Sequence, residues 1–172
     1  MIVALDVDYR TTEVVAAAVG FAHWTDERAA LELVVTTDAP PAPYEPGRFF
    51  ARELPHLCAA LALAVPPGQP LDAIVVDGYV WLAPDRKGLG AHLYDALAQA
   101  SPVIGVAKTA FAGASAIEVV RGTSARPLYV TAAGIDAGTA ADHVQEMHGA
   151  HRIPTLLRRV DQLARGIPAP LT

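Results

Sequence analysis

Cysteine is nearly missing from this chain. Cys58 is the only one, so no intramolecular disulfide can staple the fold, and a reducing compartment suits it. Positive charge is also short. Thirteen Lys and Arg face eighteen Asp and Glu, for a net charge of −5. That excludes a protein held to nucleic acid by overall basicity, though a locally basic groove stays open. Long apolar runs are lacking. Asp6 and Asp8 interrupt the first one within eight residues, and nothing reads as a leader or a bilayer span. The expectation is a cytoplasmic protein with no membrane partner. Disorder is excluded in turn, because 52% of the residues are hydrophobic and only 18% charged. No repeat or linker interrupts the 172 residues, which are expected to form one domain, 1–172.

What is present reads as strands first. Residues 2–9, 14–22 and 30–37 are β-like runs separated by short polar turns. The proline-rich segment 39–46 can be neither helix nor central strand. Phe50, Leu54, Leu57, Leu61 and Ala64 then recur at helical spacing until Pro66. Residues 71–78 and 102–108 read as buried strands around a helix over 88–100. Strands over 116–121 and 127–132 follow, and two helices, 138–148 and 154–165, close the order. Three meandering strands followed by alternating strands and helices predict a mixed α/β sheet covered on both faces.

Three acids stand where such a fold normally places Leu or Val. Asp6 lies inside the first apolar run, Glu53 breaks the apolar face of the first helix, and Asp77 ends the run 71–78. Ligands bind outside the carboxyl ends of strands in open α/β sheets. Converging carboxylates suit a hard divalent cation, and such a cation can activate water and stabilise phosphoryl transfer. A turn role for Asp77-Gly78, or an ion pair between Asp6 and Lys108, accounts for the same residues without a metal.

Several segments, in this order, are similar to the endonuclease V family: LDVDY (5–9), PYEPGRFFARELP (43–55), IVVDGYV (74–80), PDRKGLGAHL (84–93), IGVAKT (104–109) and RPLYVTAAG (126–134). The resemblance implies a ribonuclease H-like fold and Mg²⁺-dependent cleavage of DNA or RNA near deaminated bases, inosine above all. Mn²⁺ is the second candidate metal, and a monomer is compatible with the family. It makes Asp6, Glu53 and Asp77 catalytic metal ligands and Lys108 the active-site lysine near the scissile phosphate. Pro43, Tyr44, Pro46 and Gly47 become a rigid wedge loop, with Tyr44 offering a face to stack on a base. Gly78 falls beside the pocket for an extruded base, where a glycine lets the base approach the backbone. Arg86 and His92 fall in a segment near the nucleic acid.

The sequence departs from the family pattern in places. Glu45 enters the wedge loop, Ala83 and Asp85 replace a histidine and an arginine, and Ile135 follows Gly134 where the family has a histidine. Asp136 is then either a fourth metal-binding acid or an N-terminal cap for the next helix. Arg158 and Arg159 are expected to face solvent. The departures leave two alternatives beside the nuclease: a catalytically weak nucleic-acid-binding relative, and a metal-dependent enzyme acting on a small phosphorylated molecule.

Overall fold

The structure, a computed structural model, describes residues 1–39 and 50–168. The proposed wedge residues Pro43, Tyr44, Pro46 and Gly47 lie outside the described residues.

Nine strands and four helices are found there: β1 (Ile2–Tyr9), β2 (Val14–Phe21), β3 (Leu31–Thr37), α1 (Phe50–Ala64), β4 (Ala73–Asp77), β5 (Trp81–Ala83), β6 (Arg86–Lys87), α2 (Leu89–Ala96), β7 (Val103–Ala107), β8 (Ile117–Val119), β9 (Leu128–Ala133), α3 (Ala137–Glu146) and α4 (Thr155–Ala164). Seven strands form one sheet in the order β3-β2-β1-β4-β7-β9-β8. β1, β4 and β7 run parallel at its centre, while β2, β3, β8 and β9 are antiparallel to their neighbours. β2 is buried along its whole length, as its unbroken Val/Ala run requires. The edge strand β3 instead alternates partly buried and exposed residues.

Alternation along the strands sends apolar side chains to two cores. Ile2, Ala4, Ala73, Val75, Ile104 and Val106 pack under α3 and α4. Val3, Leu5, Ile74, Val76 and Val103 pack under α1 and α2, against Leu57, Leu61 and Leu93. Helices therefore cover both faces of a mixed sheet.

Three sequence expectations need correction. A short β5–β6 hairpin fills the stretch before α2, with the Trp81 indole donating to the Ala132 carbonyl at 3.0 Å. Helix α2 ends at Ala96 rather than residue 100, because Ala98 and Gln99 adopt φ of 51° and 61°. Arg159 does not face solvent: its guanidinium grips Glu32 of the edge strand with two bonds of 2.7 Å, which ties α4 to β3.

Candidate active site

The parallel strands set the geometry. In β1 the even-numbered side chains face α4, and in β4 the odd-numbered ones do. Leu5 is paired with Val76, so the next residues, Asp6 and Asp77, stand on adjacent strands at the carboxyl end and on the α4 face. Lys108 follows β7 directly and continues the face of Ile104 and Val106. Its ammonium donates to Asp77 at 2.6 Å. The lysine thus pairs with Asp77, not with Asp6. Glu53 arrives from α1, on the other face, and reaches the same concavity at the carboxyl edge.

A fourth acid comes from α4. Asp161 lines this concavity with Asp6, Asp8, Glu53, Asp77 and Gly78, and its carboxylate is 3.8 Å from the Lys108 ammonium. Arg165, one turn on, pairs with it at 3.0 Å. Sequence reasoning missed Asp161. The signal was available and identical to that of Glu53: Leu157, Val160 and Ala164 form the apolar stripe of α4, and Asp161 interrupts it.

Asp136 is not that fourth acid. It caps α3, accepting from the Thr139 amide at 2.9 Å, and this bond holds its carboxyl below the usual range. The physical reason is strand direction. β9 is antiparallel to β7 and Val103 pairs with Ala133, so the chain leaves β9 at the amino end of the parallel strands. Residue 136 therefore sits at the opposite edge from Asp77.

Crowding of the acids shows in their titration. Burial, then Asp77, push the Asp6 carboxyl up to about 7, against a bond of 2.9 Å from the Val7 amide. Burial, then Asp6 and Asp77, push Glu53 to about 8. Burial, the largest single influence, pulls the Lys108 ammonium down, but the bond to Asp77 together with the charges of Asp77, Asp161 and Asp6 outweighs it and leaves the lysine raised. Beside Glu53, the Tyr9 hydroxyl and the Arg52 Nε are buried with no hydrogen-bond partner among the described residues, and the guanidinium lies 4.5 Å over the Tyr9 ring.

All the donors here are carboxylate oxygens, the chemistry of a hard cation such as Mg²⁺. Mutual repulsion among Asp6, Glu53 and Asp77 is what a bound cation relieves. In the present arrangement Asp77 is engaged by Lys108, and among the described residues no three His, Cys, Asp or Glu are closed around one point. A cation therefore has to compete with the lysine for Asp77.

Gly78 follows Asp77 with φ +124°, a conformation that favours glycine, and among the described residues nothing lies within 4 Å of where its Cβ would be. It opens onto a groove walled by Phe50, Tyr79, Leu82, Arg86 and Phe111. Tyr79 fixes one wall, donating to the Thr109 carbonyl at 2.8 Å and accepting from the Phe111 amide at 3.0 Å. Arg86 lies 5.6 Å over the Phe111 ring. His92 does not line the groove but backs one of its walls, its ring stacked on Phe50 with centroids 3.5 Å apart. Burial, then Lys87, lower its pKa.

A mixed seven-stranded sheet with helices on both faces, its acids at the carboxyl ends of the central parallel strands, defines a ribonuclease H-like α/β protein. Residues 1–123 match the family model for endonuclease V, and the chain belongs to that family. It is 35% identical over 145 residues to the endonuclease V of Streptomyces coelicolor, an alignment covering 72% of this chain and 60% of the relative. The chain spans about three fifths of the length of the curated relatives it matches first. The crystal structure of Streptomyces avermitilis endonuclease V matches 96% of this chain and 79% of its own, with a TM-score of 0.74 and 30% identity. The endonuclease V of Ciona intestinalis, solved with a DNA containing an inosine followed by a ribo-adenosine, shares the fold. Its TM-score is 0.78 at 18% identity, over 96% of this chain and 84% of that one.

Proposed function

We propose that this protein is a metal-dependent endonuclease that cuts nucleic acid strands near deaminated bases, inosine first among them. The observation that carries the reading is the convergence of Asp6, Glu53, Asp77 and Asp161 with Lys108 on one open edge of the sheet. Family membership and the inosine-containing DNA bound by the Ciona relative supply the substrate class.

Asp6, Glu53, Asp77 and Asp161 would hold the cation, with Mg²⁺ the first candidate and Mn²⁺ the second. When bound, it supplies a more acidic water and a counter-charge for the phosphate in flight. The remaining work falls to the chain. Lys108, which here donates to Asp77 at 2.6 Å, would present its ammonium to the phosphodiester. Gly78 leaves its flank free for a base to lie against the backbone, and Tyr79 holds the segment that forms the wall of that groove. Arg86 and Lys87 border the same groove and contribute positive charge at its mouth.

Nicking of an inosine-containing strand, DNA and RNA in parallel, tests the reading. Cleavage is expected with Mg²⁺, not with EDTA, and not by Asp77→Ala. Metal-dependent nicking retained in Asp77→Ala would place the activity elsewhere.

A further inference from the structure

Lys108 sits where a strand ends, and strand ends fray unless something holds them. The residue that holds this one is Arg152. A single guanidinium nitrogen, Nη2, donates to the carbonyl of Lys108 itself and to the carbonyl of Pro127, the latter at 2.7 Å. Lys108 follows β7 and Pro127 precedes β9, and these strands are antiparallel neighbours with Ala107 opposite Tyr129. The guanidinium therefore clips together two strand ends just beyond their last ladder pairs.

The other end of Arg152 is tied to α4. It lies two residues before Pro154, the residue that precedes the first turn of α4. Ile153, Pro154, Leu157 and Asp161 then line a cavity directly beneath Asp6, Asp77 and Lys108. The connector that carries Arg152 is itself clamped from β8's side. Arg121, only 4% exposed, donates to the carbonyls of Gln145, Met147, Gly149 and His151. One fixed segment thus grips the backbone of Lys108 on one side and launches the helix bearing Asp161 on the other. Among the described residues the buried Nε of Arg152 has no partner, so the guanidinium keeps this position at a cost in unmet hydrogen bonding.

We propose that Arg152 is a positioning residue. It fixes where Lys108 leaves the sheet, and with that the spacing of the Lys108 ammonium from Asp161, now 3.8 Å. Nothing in this role requires Arg152 to touch substrate. Its kinetic consequence rests on the nuclease reading; its structural consequence does not.

The chain has two lysines, Lys87 and Lys108, which makes the test direct. Reductive methylation with ¹³C-formaldehyde gives one NMR signal for each, beside that of the N-terminus, and Lys87→Arg assigns them. In Arg152→Ala the Lys108 signal is expected to move while that of Lys87 stays. Metal-dependent nicking should lose about ten- to a hundred-fold in kcat, as for a small misplacement of a reacting group, with KM within about twofold. Arg152→Lys, which keeps a donor able to reach one carbonyl, should recover part of the rate. Arg28→Ala, in the exposed β2–β3 turn, should change neither. If Arg152→Ala does not fold, Arg152→Gln decides by the same readouts. An unmoved Lys108 signal in a folded variant overturns the assignment, whatever the rate does. So does a change confined to KM, which would mean that Arg152 meets the substrate. A wild-type protein that nicks nothing defeats the nuclease reading, and the Lys108 signal still decides this one.

Discussion

At the two ends of the same parallel strands, aspartate serves opposite purposes. At the amino end Asp72 pairs with the N-terminal ammonium at 2.5 Å, and Asp136 caps α3. Both are exposed, each has its partner, and water remains nearby. At the carboxyl end Asp6 and Glu53 are partly buried among like charges, with Lys108 shared between Asp77 and Asp161. One edge spends its acids on stability. The other keeps acids that oppose folding, which is the pattern of a site waiting for a cation or a phosphate.

The sharpest way to break this contrast is to remove an acid at the carboxyl edge. Asp77→Ala should lower metal-dependent nicking by at least ~10³-fold, because a ligand and the partner of Lys108 go together. Asp161→Asn should cost less, about ten- to a hundred-fold in rate, with weaker Mg²⁺ binding by calorimetry. If Asp161→Asn cuts and binds metal like the wild type, α4 contributes shape and no chemistry.

Stability should move the other way. Asp6 and Glu53 have folded-state pKa values of about 7 and about 8, above their ordinary 3.8 and 4.5. Between about pH 4 and pH 8 the folded protein therefore holds protons that the unfolded chain has released, and stability falls as pH rises. Below pH 4 both states are protonated and the penalty is absent. Glu53→Gln should thus be more stable than wild type without divalent cations. Its advantage should grow by ~2–4 kcal/mol from pH 4 to pH 8, measured as the difference between paired urea titrations. Saturating Mg²⁺ should shrink that advantage. A constant difference across this range would mean that Glu53 is not buried with the other acids.

The smallest effects belong to the amino edge. Asp136→Ala should lower the melting temperature by about 2–4 °C through loss of the cap, and Asp136→Asn should leave it nearly unchanged, since Asn caps as well as Asp. Neither should alter Mg²⁺ affinity. A weakened metal titration in Asp136→Asn would erase the distinction between the two edges.

Much of this was legible in the sequence, and the misses have different causes. Asp6, Glu53 and Asp77 announce themselves as acids in apolar patterns, a local signal. The three opening strands and the helix of α1 are equally local, set by alternation and by Leu57, Leu61 and Ala64. The pairing of β9 is not local. Its antiparallel direction decides on which edge Asp136 lands, and periodicity carries no information about direction. Asp161 was passed over although it breaks an apolar stripe just as Glu53 does. The β5–β6 hairpin escaped because its strands have three and two residues, too short for any periodicity to register.

The position of Asp161 has a consequence in time. The three other acids and Lys108 lie within the first 108 residues, on strands and a helix that can pack as soon as they exist. Asp161 comes more than fifty residues later, after β8, β9 and α3 have been made. Chains are synthesised from the amino terminus and fold by units as they emerge. A growing chain therefore carries an incomplete site while those elements are made, and the nearest nucleic acid is then the RNA being translated and the ribosome around it. The site is closed only by α4, made after the strands and the helix that carry the other acids.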